Sequence, residues 1–268
     1  MKRYHTYTKV GGTISAIMIL LIIIAAFWTP YDTTAMDSAA KLSPPSAAHL
    51  LGTDNLGRDI LSRVLEGAGT TLVIAVLTVA SGALLGILIG AFTGYYGGIV
   101  DNVFMRICDT ITAFPSFLLA LVIVSVLGSG KYHVIIALGL LFIPSFARIV
   151  RGEYARAVTQ AYVDNARLMG AGPIRIMFMH ILPNTRSVLL SAIAIGFNNA
   201  VLAEASMSYL GIGVQPPDPS LGRMLAEAQN YLLSAPWFAI STGAVIVLLI
   251  LGFTLLGEGI AKEAGRSA

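Results

Sequence analysis

Charge is what this sequence has least of. Only 12% of its 268 residues are Asp, Glu, Lys or Arg, while 56% are hydrophobic. Soluble domains carry about 25% charged and about 45–50% apolar residues, so an ordinary water-soluble fold is excluded. A bilayer accepts the surplus, because lipid replaces water as its solvent. Cysteine is nearly absent: Cys108 stands alone, which excludes an internal disulfide and argues against a thiolate metal centre. The histidines, His5, His49, His133 and His180, are scattered, and no two have metal-ligand spacing, so no fixed metal site is expected. No Gly-x-x-x-x-Gly-Lys-Ser/Thr loop occurs, so the chain is expected neither to bind nor to hydrolyse ATP. The net charge of +3 fits either nucleic-acid binding or the positive-inside bias of a membrane protein; the second is adopted and no nucleic-acid partner is expected.

What is present is a series of long apolar runs. A helix rises 1.5 Å per residue, so crossing about 30 Å of hydrocarbon takes about 20 residues. About six stretches qualify: residues 12–28, stopped by Pro30; 71–92, inside a charge-free interval between Glu66 and Asp101; the interval between Asp109 and Lys131; 132 to about 151, with Pro144 inside as a kink; 186–207; and 236–256. The expected class is an all-α membrane protein. Lys2, Arg3 and Lys9 ahead of an apolar run also fit a signal peptide, but the run is long and more spans follow, so a retained first helix is expected. Three parts follow: residues 1–70, a first helix with an extracytoplasmic segment; 71–258, the core of the bundle; and 259–268, a tail.

The Lys/Arg distribution sets orientation. With a cytoplasmic N-terminus, the region between spans four and five is also cytoplasmic. It holds Arg148, Arg151, Arg156, Arg167, Arg175 and Arg186 against only Glu153 and Asp164. The tail, with Lys262 and Arg266, then lies inside as well, so both termini are expected to be cytoplasmic. Gly82, Gly86, Gly90 and Gly94 recur every four residues, a smooth stripe of the kind along which helices in lipid associate.

The cytoplasmic segment, about residues 155–185, contains TQAYVDNARLMGAGPIRIMFMHILPN. Its first half has a helical pattern; Gly170 and Gly172 break it, Pro173 restarts it, and a second amphipathic stretch, 174–181, ends before Pro183. Two uses fit this shape: a knob that enters a groove on a cytoplasmic partner, or an ordinary helix pair on the lipid surface. Elsewhere, Asp54 is expected to cap a short outer helix braced by Arg58 and Asp59, and Asp109 to open the third span as an acid at a helix N-terminus. Glu204 is an acid within the fifth span. It either lines a polar path with Asn198, Asn199 and Ser208 or makes a buried structural contact.

The cytoplasmic segment resembles the coupling-loop signature of ABC importer permeases. The matching positions are Asp164, Asn165, Ala166, Gly170, His180, Leu182 and Pro183, with Ala171 beside the glycine. Asp164 stands where the pattern has Glu, Asn165 where it has Ala, and His180 where it has Ile. His-Ile-Leu-Pro-Asn resembles the branch that imports peptides and nickel. So does the run Gly52, Thr53, Asp54, Asn55, Leu56, Gly57, Arg58 and Asp59, and so do residues 109–115, 204–211 and 214–217. The resemblance covers about residues 30–258.

It implies the type I importer permease fold and the C-type pore-forming subunit of a peptide importer, with nickel or nickel-chelate import as the alternative. It further implies a homologous B-type permease subunit, an extracytoplasmic substrate-binding protein, and two ATP-binding subunits that hold ATP and Mg. The place is a prokaryotic cytoplasmic membrane. A rival from another class is a transporter driven by an ion gradient, which calls for midplane charges and an internal repeat. The span centres here are nearly charge-free and the halves carry no convincing repeat.

Overall fold

Long apolar runs become long helices. The computed structural model describes the backbone of residues 2–264 and the side chains of residues 7–260. Arg266 therefore lies outside the described residues, as do the side chains of Lys2, Arg3, His5 and Lys262. Among the described residues every regular element is a helix, apart from one isolated bridge between Thr53 and Asp59, and residues 28–59 and 210–220 run as irregular segments. Five helices are long and apolar enough to span: α1 (Lys2–Phe27), α2 (Ile60–Tyr96), α5 (Lys131–Ala157), α9 (Arg186–Tyr209) and α11 (Pro236–Ala264). Two shorter ones, α3 (Gly98–Ala113) and α4 (Ser116–Leu127), form a pair bent by 89°, which makes six spans if the pair is counted as one.

That bent pair stands where a third span was expected between Asp109 and Lys131, and it begins earlier, at Gly98. Gly97 and Gly98, at φ +62° and +57°, end α2 and let the chain turn at once into α3. Phe114, held extended by the proline after it, then separates α3 from α4. Asp109 consequently lies in the second half of α3 and opens no helix. It accepts from Arg148 Nη2 at 2.9 Å, and Asp101 pairs with Arg151 of α5. Two arginines that sequence placed in the cytoplasmic loop thus sit on α5 and hold α3 against it.

The bundle closes around α2 and α5, its most extensively packed pair. The expected glycine stripe is the seam. A Cβ on Gly86 would stand 2.5 Å from Phe146 Cβ, and one on Gly90 2.5 Å from the Ala147 carbonyl oxygen, so no side chain fits there. The backbones meet closely, as small residues permit in lipid. Pro144 lies inside α5 without ending it. α1 packs on α11, with Met18, Phe238 and Leu249 in one buried cluster, so the first helix is integral to the bundle.

Outside the spans, α2 starts eleven residues earlier than its apolar run, at Ile60 rather than at residue 71. Its N-cap is Asp59, which accepts from Ser62 N at 2.8 Å, and not Asp54. No separate short outer helix stands there. A helix α10 (Leu221–Ala228) packs between α9 and α11 on the same side, capped by Ser220.

Candidate functional site

The cytoplasmic segment folds into a knob with two sides. Helix α6 (Ala161–Leu168) ends in a Schellman turn: Ala171 N donates to the Ala166 carbonyl at 3.0 Å and Gly170 N to the Arg167 carbonyl at 2.9 Å. Gly170 has φ +82°, the left-handed geometry this turn requires. The chain then reverses through Gly172 into Pro173 at the first helical position of α7 (Pro173–Arg175). The second stretch does not end before Pro183, as expected from sequence. It continues through a π-helical turn, Ile176–Ile181, into α8 (Leu182–Asn184). A proline has no N–H and its ring crowds the carbonyl four residues back. The wider turn absorbs it: Leu182 N reaches the Met177 carbonyl, five residues back.

One side of the knob is welded to the bundle. Val163, Ala166, Ile176, Met177 and Ile181 are buried in a cluster with Tyr154 and Val150 of α5. Tyr154 Oη donates to the Met177 carbonyl at 2.9 Å, and the Arg167 guanidinium lies 5.8 Å from the Tyr95 ring at the end of α2. The other side projects apolar side chains. Leu168 and Met169 are 86% and 88% exposed, and Ile174 and Met179 on the return limb are exposed as well. Single exposed apolar residues are ordinary; here two neighbouring ones project from a rigid mount.

The expected coupling residues divide between the two sides. Ala166 is buried and Ala171 half-buried against it, while Asp164, Asn165 and Gly170 face outward. Asp164 accepts from Arg167 Nη1 at 3.1 Å. The His180 carbonyl accepts from Asn184 Nδ2 at 2.9 Å; Leu182 packs on the cluster and Pro183 is exposed. Spacing did not single out Leu168 and Met169. Their signal was available: two large apolar residues immediately before a glycine turn.

Within the membrane the polar residues part company. Asn199 is exposed and lines a cavity of about 380 Å³ between α4, α5 and α9, with Ser116 and Ser145 among walls of Phe117, Phe142 and Phe146. Asn198, next to it, turns to α11 and donates to Thr254 Oγ1 at 2.7 Å. Glu204 and Ser208 have no exposure at all. The Glu204 carboxylate accepts from Thr71 Oγ1 at 2.8 Å and Ser208 Oγ at 2.6 Å, tying α9 to α2. Within this chain Glu204 is enclosed and makes buried contacts.

The outer motif is a brace. Gly52 and Gly57 take φ +77° and +78°. The Thr53 hydroxyl donates to the Ala40 carbonyl and accepts from Ser43 N at 2.9 Å. Asp54 accepts from Leu56 N, Arg58 N and Arg58 Nε, the last at 2.6 Å, and lies 3.4 Å from Arg63 Nε. Arg58 Nη2 reaches Glu227 of α10 at 3.1 Å, and Asp59 pairs with His49 at 2.9 Å. Arg63 and Glu227 are network members that the sequence motif did not name. Among the described residues no cluster of three or more His, Cys, Asp or Glu residues suits a metal ion.

Comparison with known proteins agrees with this architecture. The family described as binding-protein-dependent transport system inner membrane component matches residues 86–263. The chain is 40% identical over 263 residues to a glutathione transport system permease protein of Pectobacterium atrosepticum, covering 96% of this chain and 86% of that one. It is 36% identical over 260 residues to a dipeptide transport system permease protein of Haemophilus influenzae, covering 93% and 88%. A solved structure of inward-facing conformations of the MetNI methionine ABC transporter shares the fold: TM-score 0.63 at 19% identity, over 76% of this chain and 97% of that one. An all-helical bundle of five to six spans, a family match over most of its length and two relatives of near-equal length converge on one assignment. The chain belongs to the inner-membrane permease family of binding-protein-dependent ABC importers.

Proposed function

We propose that the chain is one of two pore-forming subunits of an ATP-driven peptide importer, the C-type partner of a homologous B-type permease. The family works with ATPase subunits, a further permease subunit and a binding protein. The particular composition here is two ATP-binding subunits, which hold ATP and Mg, and one extracytoplasmic binding protein. ATP hydrolysis is theirs, since this sequence has no phosphate-cradling loop. Residues 160–172 seat in a groove on one ATPase subunit, with Leu168 and Met169 as the inserted side chains. Closure of the ATPases moves the knob, and the buried back of the knob carries that motion to α5 and α2. The bundle then switches between inward- and outward-facing states as rigid bodies.

The observation that carries this reading is the two-sidedness of the knob. Asp164 and Asn165 belong to its outer surface, Ala166 and Ala171 to its mount, and Gly170 to the turn between. His180, Leu182 and Pro183 form the return limb. The polar contact to a passing solute is assigned to Asn199 and the cavity it lines, because Glu204 and Ser208 are enclosed. Peptides are the substrate class, in keeping with relatives named for glutathione and dipeptides, and the nickel alternative is not favoured. The enclosed and fully hydrogen-bonded Glu204 also disfavours an ion-gradient mechanism, which needs an acid open to a water path.

The test is ATP-dependent uptake of labelled dipeptide by the complete transporter in proteoliposomes. Proline locks φ near −65°, so Gly170→Pro should abolish uptake while the permease pair still assembles. Uptake at the wild-type rate by an assembled Gly170→Pro transporter would sink the docking role. Competition by unlabelled peptides but not by a nickel chelate is expected.

A further inference from the structure

Near the outer end of the bundle, α1, α2 and α5 enclose a groove of about 370 Å³ that none of the foregoing uses. Its floor is apolar: Ile22, Val73, Leu77 and Ile135 line it, and at Gly69, where a Cβ would stand 3.3 Å from Ile22 Cγ2, α1 and α2 come close. Its rim holds two opposite charges, Glu66 and Lys131. Lys131 Nζ donates to Asp218 at 2.8 Å and remains 41% exposed, so the ammonium has further donors free. The Glu66 carboxylate is half-buried and makes no hydrogen bond or ion pair among the described residues, and Lys131 and Arg63 are cations in its neighbourhood.

The height of this rim is fixed by aromatics. Tyr132 lines the groove at the start of α5, and Phe27, Trp28 and Tyr31, at and just past the end of α1 that follows the lining residues Ala25 and Ala26, are exposed. Aromatic side chains gather at the level of lipid headgroups. An acyl chain therefore meets the apolar floor, and a headgroup meets the rim. The groove thus pairs an apolar floor with a rim that carries both signs of charge.

We propose that this groove binds one outer-leaflet phospholipid with a primary-amine zwitterionic headgroup, of the phosphatidylethanolamine class. The ammonium of the lipid lies against Glu66, its phosphate against the free donors of Lys131, and one acyl chain along Gly69, Val73 and Leu77. A lipid bearing only negative charge would satisfy Lys131 and face Glu66 with like charge. This assignment is independent of the transported solute.

Native mass spectrometry of the complete transporter tests it, after exchange into equal mixtures of phosphatidylethanolamine and phosphatidylglycerol with matched acyl chains. Phosphatidylethanolamine should be retained about fivefold over phosphatidylglycerol, the effect of one charge pair at a membrane surface. Glu66→Gln should bring that ratio close to one. Val73→Trp, a change at an exposed position that fills the floor, should remove the retained lipid of either kind. Equal retention of both lipids by the wild type, or an unchanged ratio in Glu66→Gln, would overturn the proposal. So would efficient crosslinking of Thr70→Cys to the other permease subunit in intact membranes, because protein and not lipid would then cover the groove.

Discussion

At the scale of single residues, burial separates charges that look alike in the sequence. Asp54 and Asp109 are both acids paired with arginines. The Asp54 side chain has no exposure and serves Arg58 and Arg63 together, whereas the Asp109 side chain is 68% exposed beside Arg148. Removing one partner of a buried pair leaves an uncompensated charge and costs about 3–5 kcal/mol; an exposed pair is worth about 0–1 kcal/mol. Asp54→Ala should therefore lower the thermal unfolding midpoint of the detergent-solubilised complex sharply, and Asp109→Ala scarcely at all. Gly86 gives a second contrast. A side chain there meets Phe146 Cβ, so Gly86→Val should destabilise by about 1–3 kcal/mol through overpacking. Gly152 has open space around it, so Gly152→Ala should be tolerated. Both are read in the same unfolding measurement.

At the scale of elements, what sequence revealed and what it hid follow from one physical difference. Spans were legible because hydrocarbon demands about 20 apolar residues in a row. Their ends were not, because beyond the hydrocarbon a helix continues wherever tertiary contacts satisfy its polar residues. α2 runs through Arg63 since Asp54, Glu227 and the Thr33 carbonyl surround that guanidinium. α3 escaped notice as a separate helix because its acids, Asp101 and Asp109, find partners only on α5. In the knob, Gly170 and Pro173 were legible as turn chemistry, but the π-helical turn that accommodates Pro183 is a long-range compromise with Tyr154. The exposed tip makes its own prediction. Met169→Asp should weaken co-purification of the ATPase subunits about tenfold or more, as for loss of a central contact in an interface. The unfolding midpoint of the permease pair should stay unchanged, since Met169 touches none of its core.

At the scale of the whole molecule, the fold was readable from the sequence by resemblance, and arginine placement gave an expected orientation. Sequence had no access to which membrane-facing surfaces are closed by the chain itself. Glu204 illustrates this: an acid in a span suggests a path, but Thr71 on α2, far away along the chain, encloses it. Orientation is open to direct measurement. Cys108 is the sole cysteine, so Cys108→Ser gives a clean background. A cysteine at Leu233, which is fully exposed, should react with an impermeant maleimide applied to the outer face of spheroplasts, and one at Met169 only after the membrane is opened.

α2 is 37 residues long, which at 1.5 Å per residue makes a rod of about 55 Å, well beyond the roughly 30 Å of hydrocarbon. Its outer tip is anchored by Asp59 and its inner tip touches the knob through Tyr95. A lean of about 5° at one tip displaces the other by about 5 Å, nearly one helical turn. A protein alighting on the outer face can thus be felt at the cytoplasmic face by simple leverage, with no chain of intermediaries in between.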